Sequence, residues 1–520
     1  MNFLRACQVF QAQWVNLISS KSLAFFASTF QKRLREISML KKVKVLTMTA
    51  ALLAAFGLNL VVGEAIAADK TTELSVFSDK ELHTAAWLRD AARLDNASYR
   101  ILESLTTEVG PRMAGTPADA RAVAWAEAKF KELGFDKVWK EPVTFPSWQR
   151  GEEKAEIVAP FPQPLMITAL GNSIATPAGG LTAELVQFAS FKDLQGAQPE
   201  SVKGKIVFIN HKMQTAADYG SVQAGRTKGA SEAARKGAVA IIIRSVGTDS
   251  HRFPHTGVMN YEEGVEKIPA AAMSNSDADM VVRMIKRGKP VSVKLSLSSG
   301  ANGSYTSYNV IGEITGSELP NEYVLMGGHL DSWDLGTGTI DDGAGCAITM
   351  AAAEFIKRQG LKPKRSIRVV LFANEEQGLF GGKAYAAANE KQISRIQAAA
   401  EADSGQGPVT QLSSFVRPEA FAVVKQMQTV MAPLGVAAGD NNAYPGPDMG
   451  GLRALGAASF GLTLKADDYF DLHHTPDDTF DKIEPARINQ ATAVFTVYAW
   501  MAANSPVNFG SGQEPLKSRK

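Results

Sequence analysis

Apolar residues recurring at three-to-four spacing mark the early chain as helical, with Val123, Trp125, Ala126, Phe130 and Leu133 in the run and Gly134 following as a stop. Residues 69–135 therefore read as mostly helical, broken by the turn-rich run Gly110-Pro111-Arg112-Met113-Ala114-Gly115. From about Val138 the pattern shortens to apolar runs punctuated by Pro and Gly, as at 155–158 and 165–170, which predicts strands. Between 172 and 298, the runs 205–209 and 238–243 read as buried strands flanking a helix over 229–236, and 268–272 follows. That is a small α/β unit. After residue 305, strands at 308–314, 323–328, 366–372, 398–402 and 458–464 alternate with helices at 344–359 and 418–431, closing on an amphipathic helix at 485–504.

This alternation predicts an α/β fold: a three-layer, mostly parallel sheet with helices on both faces and active residues at the strands' carboxyl ends. The expected organisation is a split main domain over 68–171 and 299–507, an insert over 172–298 and a polar tail over 508–520.

Residues 45–63 carry no charge, follow Lys41, Lys42 and Lys44, and end at Ala65-Ile66-Ala67. A basic stretch, an apolar stretch and a small-x-small site form a secretory signal, expected here over 39–67. The run approaches the length of a membrane span, but Ala and Gly dilute it. Because signals begin near the initiator, translation is expected to start at Met39, with 1–38 a spurious or unstructured extension. The expectation is an exported protein, periplasmic or secreted, with no stable membrane insertion after cleavage.

The 520 residues hold 55 Lys+Arg against 53 Asp+Glu, so no basic footprint for nucleic acid exists. Removing the basic leader leaves the remainder net acidic. The two cysteines, Cys7 and Cys346, allow neither a disulfide framework nor a Cys-rich zinc module.

The chemistry-bearing residues fall at predicted strand ends. His329-Leu330-Asp331 follows the apolar run 324–326, and a ligand imidazole needs an outer acceptor such as a nearby carboxylate. Asp341-Asp342-Gly343-Ala344-Gly345 opens a helix, where the dipole favours negative charge. A helix cap accounts for one of these acids and leaves the other available to bridge two cations. Glu375-Glu376 follows the strand 367–372, and adjacent acids repel unless one binds a cation and the other holds a proton. Glu401-Ala402-Asp403 and His473-His474 complete the set.

Imidazoles and carboxylates without cysteine suit catalytic zinc, with cobalt or manganese as substitutes. Two such ions can share a bridging hydroxide and polarise a carbonyl. Competing motifs fail: no Gly-x-Ser-x-Gly elbow occurs, and Gly378 to Lys383 has the wrong spacing for a phosphate loop, with Ala384 in place of Ser or Thr. Cys346 reads as a small buried residue. His251 and His255 are four apart, but Pro254 disfavours the helix that would pair them as ligands.

These motifs, Gly327-Gly328-His329-Leu330-Asp331-Ser332-Trp333-Asp334, Asp341-Asp342-Gly343, Glu375-Glu376-Gln377-Gly378 and His473-His474-Thr475, resemble the co-catalytic di-zinc exopeptidases of the carboxypeptidase Q (plasma glutamate carboxypeptidase) branch. The stretches Ile243 to Val246, Pro254 to Gly257 and Lys267 to Pro269 resemble that branch's protease-associated (PA) insert. The resemblance covers about residues 97–503. It implies two Zn2+ ions, His329 and Glu376 as terminal ligands on different metals, Asp403 and His474 as their respective partners, and Asp341 as the bridge. It further implies Glu375 as general base, Asp331 as orienter of His329, and Asp448 beside the substrate. Thr475-Pro476-Asp477 departs from the Ser-His-Gly of animal members, which bears on fine specificity.

The expected function is therefore hydrolysis of dipeptides or short peptides by a carboxypeptidase or dipeptidase whose partner is the peptide substrate, with a homodimer as the open oligomeric alternative. A leucine-type aminopeptidase of the same fold is the competing enzyme. A non-catalytic receptor-like relative and a single-zinc cyclase are further alternatives that would not need the complete ligand set.

Overall fold

The computed structural model describes residues 76–512; the signal-like leader and the tail from 513 lie outside them. Three helices come first: α1 (Asp79–Ala92), α2 (Ala97–Glu108) and α3 (Pro117–Glu132). α1 begins with a capping box, Ser78 accepting from the Glu81 N–H while the Glu81 carboxylate accepts from the Ser78 N–H. Two donors that the first turn would otherwise leave unpaired are thereby satisfied. α3 starts with Pro117 behind a Thr116 cap and buries Val123, Trp125, Ala126 and Phe130, the stripe its spacing predicts.

β1 (Lys137–Gln149) leads out to a smaller unit. There β2 (Glu153–Ala159), β3 (Gln163–Leu165), β4 (Ile167–Ala169), β5 (Leu181–Phe188), β6 (Ile206–Ile209), β7 (Ala240–Arg244), β8 (Ala270–Met273) and β9 (Ser292–Leu297) form one sheet, ordered β3-β2-β9-β5-β6-β7-β8-β4. β5 to β8 pair in parallel, with α4 (Tyr219–Arg235) between β6 and β7 and α5 (Asn275–Ile285) after β8. This sheet begins at Glu153, ahead of the expected boundary at 172, because β2 and β4 pair with β9 and β8 far along the chain. Local pattern carries no sign of such partners.

α4 also begins earlier than the expected 229, since its glycines interrupt the apolar periodicity. They have a packing role: a Cβ at Gly229 would lie 2.8 Å from Ile241 Cδ1, and one at Gly225 would lie 3.4 Å from Ile209 Cγ2.

β10 (Gly300–Ile314) returns beside β1, antiparallel from Lys137 opposite Glu313 to Gln149 opposite Gly300. The smaller unit thus hangs from the ends of two adjacent strands. β11 (Leu319–His329), β12 (Arg365–Phe372), β13 (Ile396–Glu401), β14 (Val409–Phe415), β15 (Ala437–Ala438) and β16 (Ser459–Leu464) complete the main sheet, ordered β1-β10-β12-β11-β13-β16-β14-β15. Its four central strands are parallel, and the antiparallel pairs lie toward the flanks.

Helices α6 (Ala344–Arg358), α7 (Phe380–Asn389), α8 (Phe421–Met431) and α9 (Pro485–Asn504) follow in order. Successive strand side chains point to opposite faces, and β11 shows the result. Val324 and Met326 join the core built with α1, α2, α6 and α9, whereas Leu325 joins Val370, Phe372 and Tyr385 on the α7 side. Among the described residues no helix is long and apolar enough to cross a membrane.

Candidate metal centre

The polar residues singled out by sequence converge at the carboxyl ends of the parallel strands. β11 terminates in His329; Glu375 and Glu376 follow β12, and Asp403 follows β13. Asp341 comes from the loop before α6, and His474 from the loop after β16.

Asp341 lies at the centre of the group. Its Oδ1 is 3.1 Å from His329 Nε2, and its Oδ2 is 3.1 Å from His474 Nε2. Asp403 stands on the His329 side at 3.7 Å, and Glu376 Oε2 on the His474 side at 2.9 Å. The carboxylate thus presents one oxygen to each of two imidazole-and-acid pairs.

Each imidazole is held through its other nitrogen. His329 Nδ1 donates to the Asp331 carbonyl at 3.0 Å, and His474 Nδ1 to the Thr256 carbonyl at 3.2 Å. Since a carbonyl can only accept, both rings keep Nε2 free for a cation.

The orienting role assigned to the Asp331 carboxylate needs correction. That carboxylate is 3.8 Å from His329 Nδ1, and the backbone carbonyl makes the contact instead. Its oxygens accept from the N–H groups of Glu375 (3.0 Å) and Glu376 (3.4 Å), fixing the turn that presents both acids. Asp342, the second acid of its pair, accepts from the His329 and Gly345 N–H groups at 3.0 and 3.1 Å and so caps α6.

His473 competes with Glu376 for the second position, with Nε2 3.6 Å from Asp341 Oδ2. Its Nδ1, however, is buried without a partner, and its ring stacks on His474 at 3.5 Å. An imidazole ligand normally anchors its outer nitrogen. His474 does so and His473 does not, which favours Glu376 with His474.

Burial raises the Asp341 carboxyl, but the neighbouring imidazoles outweigh it and hold the group well below the usual carboxylate range. Burial lowers the His474 imidazole, yet Glu376 and Asp341 push it up to about 10, and Asp341 with Asp403 likewise holds His329 well above its ordinary value. Glu375 is raised well above its ordinary range by burial and by the charges of Asp403 and Glu376. So much negative charge around two imidazoles calls for a cation.

The residues fit one. Asp341 Oδ2 and Glu376 Oε1 are buried oxygens without an aligned hydrogen-bond donor, a costly state that a metal ion would relieve. His329, Asp341 and Asp403 have ligand atoms close enough to share an ion. Nitrogen and oxygen donors without sulfur suit zinc, cobalt or manganese.

Asp448 is buried beside this group; its Oδ1 accepts from the Gly382 N–H at 2.9 Å, and burial pushes its carboxyl up to about 8. Glu401, the strand-end acid two residues before Asp403, accepts from the Asp448 and Met449 N–H groups and so fixes that loop.

Sequence reasoning missed the contribution of the smaller unit. Its 248–256 stretch grips the ligand loop: His255 Nδ1 donates to the His473 carbonyl at 2.7 Å, the Thr256 N–H to the His474 carbonyl at 3.0 Å, and Thr248 Oγ1 to Asp471 at 2.6 Å. The rejected His251 and His255 pair did contain a residue of consequence, in a positioning role. Arg150, paired with Asp334 at 2.6 Å and with the Ala169 carbonyl, ties the same two units together.

Comparison with known proteins agrees with this architecture. Residues 309–499 match the model of peptidase family M28, and 181–281 match the PA domain. The chain is 38% identical to carboxypeptidase Q of Mus musculus over 412 residues, covering 79% of this chain and 87% of the mouse protein. A crystal structure of a peptidase M28 precursor from Shewanella amazonensis superposes with a TM-score of 0.81 at 52% identity, over 83% of this chain and 98% of the other. More distant is a probable leucine aminopeptidase 2 of Aspergillus fumigatus, 26% identical over 58% of this chain and 55% of its own length. The chain belongs to peptidase family M28, as a carboxypeptidase Q-like metallo-exopeptidase with a PA insert.

Proposed function

We propose that the protein is an exported exopeptidase that hydrolyses dipeptides and short peptides with two zinc ions held across Asp341, one with His329 and Asp403 and the other with Glu376 and His474. The observation carrying this reading is that each oxygen of Asp341 faces its own imidazole at 3.1 Å. Bound there, the ions would supply Lewis-acid polarisation of the scissile carbonyl and acidification of water.

The chain's own residues supply positioning and proton transfer. Glu375 lines the cleft beside Asp341 and Asp403, and the Asp331 carboxylate holds its backbone N–H. From that position its carboxylate takes a proton from the attacking water and delivers it to the leaving amine, the work of a general base turned acid. Burial and neighbouring charge raise its affinity for the proton in transit. Asp448 is buried next to Pro447, which lines the cleft together with Tyr219, Arg226 and Val258 of the PA insert.

The signal-like leader supports export, and N-terminal sequencing of secreted material would test it; a chain starting before Met39 contradicts that part. The activity test is chelation followed by titration with zinc, cobalt or manganese while following hydrolysis of a free dipeptide. Loss on chelation and recovery at two equivalents is expected, and full activity in excess chelator would refute the reading. Blocking one peptide end at a time separates carboxypeptidase or dipeptidase action from the leucine-type aminopeptidase alternative.

A further inference from the structure

Arg226 lies on the α4 face that looks into the cleft, and 4% of it is exposed. Its Nη2 donates to Tyr219 Oη at 2.8 Å, but Nε and Nη1 have no partner. Its guanidinium lies 5.6 Å from the Tyr219 ring centroid. A buried cation left this bare is destabilising, and a residue retained purely for structure would be paired. Space is reserved for it: Gly257, at φ +140°, would place a Cβ 2.5 Å from Nη1 and 2.8 Å from Cζ.

The cleft, about 460 Å³, has Arg226 and Tyr219 of the PA insert on one wall and Asp341, Glu375, Asp403 and His474 on the other. Opposite a wall of carboxylates, this guanidinium marks the place where an anionic part of the substrate can rest.

We infer that Arg226 binds a substrate carboxylate, and specifically the carboxyl-terminal carboxylate of a short peptide whose scissile bond lies at the metal centre. A guanidinium meets a carboxylate through parallel N–H donors of Nη2 paired with either Nε or Nη1; Nη2 gives one N–H to Tyr219, so its second N–H together with the unpartnered Nε or Nη1 supplies such a pair. Every free dipeptide carries that carboxylate at a constant distance from its peptide bond, whereas an acidic side chain is present only in some. The inference rests on the exopeptidase reading and adds which end of the peptide is recognised.

The test compares zinc-loaded wild type with Arg226→Met and Arg226→Lys on alanyl-leucine, its C-terminal amide and its N-acetyl form, with alanyl-aspartate amide as the side-chain control. Wild type should prefer the free acid over the amide by roughly 10- to 100-fold in kcat/KM, the scale of a hydrogen-bonded charge. Arg226→Met should bring that ratio close to one, mainly through KM, and Arg226→Lys should restore part of it. The melting temperature of ligand-free Arg226→Met should hold or rise, because an unpaired buried charge has been removed.

Equal loss on acid and amide together with a lower melting temperature would make Arg226 a structural residue and overturn the inference. So would an effect confined to alanyl-aspartate amide, which would reassign the ligand to a side chain. An active wild type indifferent to C-amidation would defeat this inference and leave the peptidase reading intact. If zinc-loaded wild type cleaves nothing, the peptidase reading fails, and calorimetric binding of alanyl-leucine against its amide still decides for or against Arg226. Gly257→Ala, which crowds the guanidinium without removing it, should lower the same ratio.

Discussion

The Nδ1 of His474 lies 3.2 Å from the carbonyl oxygen of Thr256, so the PA insert sets the tautomer of a residue in the main domain's candidate metal centre. His255 reinforces the link: it donates to the His473 carbonyl at 2.7 Å and is held from behind by Asp249 at 2.5 Å. Replacing His255 with Ala should weaken metal binding at the His474 and Glu376 position by roughly 10- to 100-fold, the usual effect of losing an outer-shell partner. The His329 and Asp403 position should be spared. Zinc titration followed by elemental analysis checks this: one weakened equivalent is the expected result, and two equally weakened equivalents would indicate general destabilisation instead.

Glu375→Gln keeps the side chain's shape and removes its capacity to take a proton. Both metal equivalents should remain, because the ligand carboxylates and imidazoles are untouched, while kcat falls by about 100- to 10,000-fold. Near-normal turnover would show that Glu375 is not the base. His474→Ala gives the contrasting phenotype, with lower metal content before any effect on proton transfer is reached.

How much of this was legible in the chain depends on the distance over which each signal acts. β11, β12 and β13 are short apolar runs ending in His or acid, and the order of strand and helix alone places those ends on one side of a sheet. The long antiparallel ribbon of β1 and β10 is only partly visible, since exposed residues such as Lys137, Lys140 and Thr144 dilute its apolar content. The pairing of β2 with β9 and the grip of His255 on His473 join residues remote in sequence, so no local window contains both partners. Arg226 is silent for another reason: its significance lies in two guanidinium nitrogens, Nε and Nη1, that lack partners, and only coordinates reveal that.

Gly345 tests how tightly α6 is seated against the site. A Cβ there would collide with the Ala402 carbonyl and the Asp342 carboxylate. The Ala402 backbone cannot yield easily, because its N–H donates to the Gly327 carbonyl within the sheet at 2.9 Å. Gly345→Ala should therefore cost about 1–3 kcal/mol, the range of overpacking, and displace both Asp341 and Asp403 from their shared geometry. Urea denaturation together with metal content provides the check: unchanged stability and two bound metals would show that the helix start can shift without disturbing the ligands.

Asp119, at the start of α3, accepts from Ser307 Oγ at 2.7 Å and from the Gly115 N–H at 3.2 Å. Burial dominates over those bonds, and with help from the Asp331 charge it pushes the carboxyl up to about 6. A folded state that binds the proton more tightly than the unfolded chain gains stability wherever that proton is present. The gain is complete below the ordinary value near 3.8 and is lost as pH rises through about 6. Two pK units correspond to roughly 3 kcal/mol at most. The stability of wild type relative to Asp119→Asn should therefore decline between pH 4 and 7, since Asn does not titrate. Urea midpoints for both proteins across that range, in constant chelator so that metal uptake does not contribute, measure the difference directly. A pH-independent difference, or one that grows with pH, would show that Asp119 is ionised in the folded protein throughout.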